Sequence, residues 1–335
     1  MKNLIFSAAF LVASCLTTLA IGQNNNIAIG TAVPADKQVS IDKIDHDLFN
    51  QLLQFYVNDK GQINYKGWKG SQKGMQALDT YLTTLSSANP KLEANRANKL
   101  AFWINAYNAV TIKGILREYP TTSIRNHTSE TGGYNLWKNL FLPVGDGHFS
   151  LDQMEHQVLR KMSEPRIHFA IVCASHSCPR LLNQAYVGKN LEAQLVTNTR
   201  QFFANPENFK HDPSQSAFHM SEIIKWFPTD FGANQAAQLN YLSAYLPTRE
   251  AQAAAQQNAV RVSYLEYSWA LNEQKQQQGS GTVTQGSATK QGSATKQGSA
   301  TKQGSATKEA ASGAKKAASG TKAASGTKEA ASGTR

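Results

Sequence analysis

The chain has 335 residues and a formal net charge of +11, but that charge does not describe a basic fold. From Gly279 onward eight lysines and Arg335 face only Glu309 and Glu329, which is +7, and with Lys2 set apart in a leader the remaining domain carries +3. Such a domain presents no strongly basic face, which argues against specific nucleic-acid binding. Its three cysteines, Cys15, Cys173 and Cys178, are too few for a disulfide-stapled scaffold, and a domain of this length buries an adequate core without one.

Residues 1–22 read as a secretory signal. Met1-Lys2-Asn3 is a short positive start, and Leu4 to Leu19 is apolar but interrupted by Ser7, Ser14, Thr17 and Thr18. That run is short for a membrane span, and Ala20-Ile21-Gly22 offers the small residues a signal peptidase reads. Val12-Ala13-Ser14-Cys15 loosely resembles a lipobox, with Cys15 as the lipidated residue, but Ser rather than Gly or Ala precedes the cysteine. Ordinary cleavage is the preferred reading. The expectation is an exported protein of the periplasm or cell surface, with no transmembrane segment in the mature chain.

Residues 23–40 are polar, contain Pro34 and read as a flexible leader. Ile41, Ile44, Leu48, Leu52, Leu53 and Tyr56 recur at helical spacing, which predicts a helix over 41–56. Asp59-Lys60-Gly61 turns between two short β-prone pieces, and Met75 to Leu85 forms a second helix. Leu92 to Arg117 is apolar nearly all round, the mark of a buried central helix. A long loop follows through His127 and Gly132-Gly133, a kind of segment that often holds sites. Phe141 to Phe149 predicts a hairpin turning at Gly145-Asp146-Gly147. Ser150 and Gln153 form a capping box for a helix over 151–161. Arg166 to Cys173, bounded by Pro165 and rich in Ile and Val, reads better as a buried strand than as a short helix. Leu191 to Phe203 and Gln235 to Tyr245 are helical, Ala217 to Met220 is strand-like, and Val260 to Trp269 alternates as a closing strand. Helices outnumber strands without regular alternation, so the class is α+β: one helix-rich globular domain over 41–272 with short strands.

Residues 279–335 have a different composition. Gln-Gly-Ser-Ala-Thr-Lys recurs four times from Gln285, then Ala-Ala-Ser-Gly four times from Ala310. With Val283 as its only large aliphatic residue, this tail cannot offset its ordering entropy by burial and reads as disordered. Its bland role is a solvated tether. Regularly spaced lysines also suit contact with anionic envelope polymers.

Three blocks carry a family resemblance: Lys99 to Ala109, with its Phe102-Trp103-Ile104-Asn105-Ala106-Tyr107-Asn108 centre; Ser150 to His156; and Pro165 to Pro179. Two later blocks, Ile224 to Phe231 and Leu265 to Asn272, follow in the same order. Together they resemble the domain-of-unknown-function 547 family over about Ile41 to Asn272. The resemblance implies a domain identity and an α+β fold, and no agreed reaction. The closing block departs from the family pattern at Ser268, where that pattern has Asp.

The chemistry-bearing residues converge on Cys173. It ends the apolar run, with Cys178 five residues on and directly before Pro179. Such a thiol is either a nucleophile activated by an imidazole, a redox pair with Cys178, or one half of an inert or disulfide-bonded structural pair. His156, on the capped helix, is preferred as base over His168, because in a strand His168 faces away from Cys173. Asn105 is costly on an apolar helix unless its amide is paired. It either orients the imidazole in a Cys-His-Asn arrangement or fastens a loop. The cysteines and histidines match no familiar zinc spacing, and no phosphate-cradling or dinucleotide motif occurs, so neither metal nor cofactor is expected. The sequence thus supports a thiol-dependent hydrolase or transferase of the cell envelope, with Cys173, His156 and Asn105 as its catalytic residues and an unknown substrate. The alternative is a non-catalytic envelope binding module in which the cysteine pair is structural.

Overall fold

The computed structural model describes residues 26–129 and 134–275. The signal read over 1–22 and the tail read over 279–335 lie outside the described residues. The fold is α+β, helices around two small sheets of three strands each.

The segment expected to be a loose leader is built into the first sheet from residue 26 onward. β1 (Ile27–Ala28) pairs in parallel with β2 (Leu140–Val144), which pairs antiparallel with β3 (Gly147–Phe149). Ile29 is buried, and Val39 bridges to Ala88. The hairpin turns where expected. Gly145 sits there at φ +63°, and a Cβ on it would come 2.9 Å from Pro90, so glycine is required on both counts.

Helix α1 (Asp47–Tyr56) is shorter than its apolar spacing predicts, because Ile41–Lys43 forms a separate 3₁₀ turn. Asp45 then restarts the chain by accepting the Asp47 N–H at 2.7 Å. α2 (Tyr65–Gly70) and α3 (Gln72–Ser86) pack beside it. α4 (Arg96–Glu118) is the central helix: sixteen of its residues are buried, in keeping with apolar side chains all round. Each fully buried Leu, Ile or Phe contributes roughly 1.5–3 kcal/mol. α4 therefore anchors the larger of two cores, made with α1, α3 and β2.

After the short α5 (Leu136–Asn139) and the first sheet comes the capped helix. Ser150 and Gln153 form the capping box as predicted. The helix does not continue as a regular α-helix: α6 (Leu151–Gln153) passes into a π turn over Met154–Leu159 and a 3₁₀ turn over Arg160–Met162. Wide turns of this kind recur at functional sites.

The expected strand over Arg166 to Cys173 is not formed. Pro165–Phe169 is a 3₁₀ turn, started by Glu164, whose carboxylate accepts the Arg166 N–H. The chain that follows pairs with a side chain rather than with another strand. Asn108 Nδ2 donates to Ala170 O at 3.0 Å, and Asn108 Oδ1 accepts from Val172 N at 2.9 Å. One amide from α4 thus supplies the bonds a strand partner would have made.

The second core gathers Phe169, Phe202, Phe203, Phe209, Phe218 and Phe231. It is enclosed by α7 (Leu191–Ala204), a second sheet, α8 (Glu222–Trp226), α9 (Pro228–Phe231), α10 (Gln235–Ser243) and α11 (Arg249–Gln256). In that sheet β4 (Phe209–Asp212) pairs antiparallel with β5 (Ala217–Ser221), and β5 pairs in parallel with β6 (Arg261–Leu265). Trp269 packs against both cores, and a cleft opens where they meet. Among the described residues, no helix is long and apolar enough to cross a membrane.

Candidate functional site

The Cys173–Cys178 loop forms the floor of this cleft, and two constraints shape it. Asn108 fixes its entry through Val172. The closing segment then straps its far side: His176 N donates to Ala270 O at 2.7 Å, Ser177 N to Ser268 O at 3.2 Å, and Asn272 N to Ala174 O at 3.0 Å. Between these fixings Ala174 is held at φ +62°, a left-handed conformation that costs a non-glycine residue about 1–2 kcal/mol. The strap also delivers Tyr267 to the sulfurs. Ser268 itself is exposed and engages the loop through its backbone, so the carboxylate of the family pattern has no counterpart there.

The two cysteines are free thiols with unequal surroundings. Cys178 Sγ accepts from the Cys173 backbone N–H at 3.0 Å, the Ser175 hydroxyl at 3.2 Å and the Tyr267 hydroxyl at 3.2 Å. Cys173 Sγ lies 3.1 Å from Ser175 Oγ and 3.4 Å from Tyr267 Oη. Burial pushes Cys178 up, but its donors (Cys173, Ser175 and Tyr267) outweigh burial and bring it down to about 6. Cys173 moves well above the usual thiol range, first because its proton is shared with Cys178, then because of burial and the adjacent negative sulfur. Sequence reasoning took Cys173 as the nucleophile. The hydrogen bonds instead favour negative charge on Cys178 and leave Cys173 beside it the harder of the two to ionise. Cys178 is 8% exposed and Cys173 half-buried, and both sulfurs' residues line the cleft.

The cleft has a volume of about 770 Å³, within the range of small-molecule sites. One wall is aromatic. Trp226 and Trp269 stack at 5.7 Å, and Tyr267 lies 4.7 Å from each. Ile171, Ile223 and Phe227 extend the apolar surface. Arg125, whose guanidinium sits 5.3 Å over the Trp269 ring, lies at the cleft with Asp152 and Thr128.

The π turn brings Glu155 to the same floor. Tyr107, from α4, donates its hydroxyl to Glu155 Oε2 at 3.2 Å. Burial raises the Glu155 carboxyl above the usual range, against the pull of His156, Tyr107 and Arg160, and the Cys178 sulfur adds to the rise. A carboxyl held in this way is suited to carry a proton into the cleft.

The other expected catalytic residues are not assembled around Cys173. His156 lines the cleft, but its Nδ1 accepts from Arg160 at 3.1 Å and its Nε2 lies 3.9 Å from Asp152. With Nδ1 occupied as an acceptor, the neutral ring carries its proton on Nε2 and has no free lone pair for a thiol. Asn105 is absent from the cleft lining. Its amide donates to Tyr186 O at 2.8 Å and accepts from Tyr186 N at 2.9 Å. It therefore fastens a loop and orients no imidazole. His168, expected to face away from Cys173, lines the same cleft, since the 3₁₀ turn removes the strand alternation behind that expectation. Its ring stacks on Phe227 at 4.1 Å, and Nε2 lies 2.7 Å from Asp230. Burial lowers it to about 4 despite that carboxylate, so at neutral pH the contact is a hydrogen bond from a neutral ring. Asp230 is itself held ionised, chiefly by Arg160 at 2.7 and 2.8 Å.

Sequence reasoning missed Ser175, Tyr267, Glu155 and Tyr107. Tyr267 lies 89 residues from Cys178, and the inward turn of Glu155 depends on a π turn that no apolar period announces. Among the described residues, no group of three or more His, Cys, Asp or Glu is placed to hold a metal ion.

Residues 92–203 match the model of a family described as protein of unknown function, DUF547. The match covers α4, the π turn, both cysteines and α7; the strap that brings Tyr267 lies beyond it. No curated protein and no solved structure matches the chain.

Proposed function

We propose, from its own cleft, that this chain, whose residues 92–203 match a DUF547 family with no reaction in its description, is a thiol-dependent acyl transferase or hydrolase with Cys178 as nucleophile. The observation that carries this reading is the set of three donors on Cys178 Sγ at the floor of an open cleft. A thiolate stabilised in this way is populated at neutral pH, where an ordinary thiol is mostly protonated.

The Cys178 thiolate attacks the carbonyl carbon of an ester, thioester or amide and forms a thioester. The proton the leaving group takes is assigned to Glu155, whose carboxyl burial raises above its usual range and Tyr107 positions. Water or an acceptor nucleophile then attacks the thioester, returns a proton to Glu155 and frees the thiolate. The aromatic wall formed by Trp226, Tyr267 and Trp269 supplies apolar surface against which the substrate body packs.

We further propose that this chemistry takes place outside the cytoplasm. The support is the signal-like pattern of residues 1–22, with the lysine-bearing repeats of 279–335 as a tether for anionic envelope polymers.

The experiment is acylation by p-nitrophenyl acetate. The reduced full-length chain is expected to release p-nitrophenol in a burst and to carry an acetyl group on the peptide containing Cys178. Cys178→Ser abolishes the burst. Acetylation confined to lysines, or a burst unchanged in Cys178→Ser, overturns the reading.

A further inference from the structure

The two sulfurs share one hydrogen-bond network, in which three donors favour negative charge on the less accessible one. Ser175 and Tyr267 hydroxyls, themselves 2.7 Å apart, each touch both sulfurs. An acyl-transfer site needs only one of the thiols, so the second sulfur has no task in the reaction above. Its position is that of a resolving thiol: adjacent to the thiolate, five residues away on one loop, and still protonated when its neighbour is ionised.

We propose that Cys173 and Cys178 together are a dithiol reductant of organic hydroperoxides. This rests on the same assignment of Cys178 as thiolate that the acyl-transfer reading uses. In the first step the Cys178 thiolate attacks the terminal oxygen of the hydroperoxide. The O–O bond breaks, sulfur is oxidised to sulfenic acid, and the alcohol leaves after taking a proton from solvent. In the second step the Cys173 sulfur attacks the Cys178 sulfenic sulfur. An S–S bond forms, and the Cys173 proton leaves with the hydroxyl as water. One hydroperoxide is thus reduced to one alcohol and one water while two thiols become one disulfide, which an external dithiol then reduces.

The geometry favours organic over inorganic peroxide. Ile171, Ile223, Trp226, Phe227 and Trp269 give the cleft that holds the sulfurs an apolar side, so an alkyl or aryl group on the peroxide buries against it while hydrogen peroxide gains nothing. The hydroxyls of Ser175 and Tyr267 lie 3.2 Å from the Cys178 sulfur. They are therefore within reach of an oxygen added to it, and they suit the developing negative charge. The loop already holds both sulfurs on the same two hydroxyls, and the Cys173 N–H reaches the Cys178 sulfur at 3.0 Å.

The test uses the reduced full-length chain and cumene hydroperoxide. Expected is stoichiometric loss of two thiols, one intramolecular Cys173–Cys178 disulfide on peptide mapping, and at least tenfold faster oxidation than by hydrogen peroxide. With dithiothreitol present, the peroxide is consumed catalytically. In Cys173→Ala the first step stops at a sulfenic acid, which dimedone labels on Cys178. Thiols that survive a many-fold excess of cumene hydroperoxide overturn the proposal, as does oxidation that yields only intermolecular disulfides or proceeds no faster than with hydrogen peroxide. Alkylation of Cys178 by iodoacetamide at pH 7 separates the two claims. If it remains fast while peroxide fails, this inference falls and the acyl-transfer reading stands; if it is as slow as a free cysteine, both fall.

Discussion

The backbone N–H of Cys173 points at the sulfur of Cys178, 3.0 Å away. That bond is local, between residues five apart, yet it exists only because distant parts of the chain shape the loop: Asn108 on α4 fixes Val172, and the strap around Asn272 fixes Ala174. The polarity of the cysteine pair follows. The residue at the end of the apolar run donates, and the residue before Pro179 accepts charge.

Removing one donor tests that polarity. Tyr267→Phe deletes a hydroxyl 3.2 Å from Cys178 and leaves the ring packed between Trp226 and Trp269. A hydrogen bond to a charged group is worth roughly 1.5–3 kcal/mol, and one pKa unit is about 1.4 kcal/mol. The pH at which Cys178 alkylates is therefore expected to rise by about one unit or more. Iodoacetamide rates across pH measure it, and an unmoved profile means the hydroxyl does not support the thiolate.

Asn105 and the thiolate are expected to be separable. Asn105→Ala strands the buried N–H and carbonyl of Tyr186, at a cost of about 2–4 kcal/mol, read as a lower denaturation midpoint. Below that midpoint, Cys178 alkylation keeps its wild-type pH profile. A loss of Cys178 reactivity in a variant still folded by circular dichroism restores Asn105 to the chemistry.

Glu155→Gln keeps the acceptor for Tyr107 but removes the transferable proton. Ester turnover is expected to fall by at least tenfold at pH 7, with no rise in the pH at which Cys178 ionises. Turnover within twofold of wild type assigns the proton to another group.

Two histidines, buried His168 and half-buried His46, set the acid limit of the fold. His168 and His46 are each lowered to about 4, mainly by burial; His46 Nδ1 lies 2.7 Å from Tyr81 Oη, away from the cleft. In the unfolded chain both protonate near 6.5, so below that pH the unfolded state binds more protons. Stability is accordingly complete above about 6.5 and declines as pH falls from there towards 4, by on the order of 3 kcal/mol for each ring. Thermal melts between pH 7 and 4.5 measure the slope. His168→Gln is expected to melt lower at pH 7 and to flatten that slope; an unchanged slope means His168 binds its proton equally in the folded and unfolded chain.

Much of this architecture was legible in the residues. The all-round apolar pattern of α4, the Ser150–Gln153 capping box and the Gly145 turn each announce an element through local chemistry, and the cysteine pair marks the right loop. The failures share a cause, which is that a distant group replaced a local partner. Arg166 to Cys173 has strand composition, but the Asn108 amide occupies the backbone groups a neighbouring strand would bind. Asn105 has the residue type of a triad member, but Tyr186, 81 positions away, takes both ends of its amide. Tyr267 gave no signal, because a phenol next to a thiol becomes chemically meaningful only after the strap has closed.

The most direct measurement is the pH dependence of iodoacetamide alkylation, resolved by peptide mass for each cysteine of the reduced full-length chain. The account predicts that Cys178 alkylates first, with a midpoint below the ordinary thiol value of about 8.5, and Cys173 only after it. Parallel alkylation of both residues with a midpoint near 8.5, or earlier reaction at Cys173 than at Cys178, would contradict it.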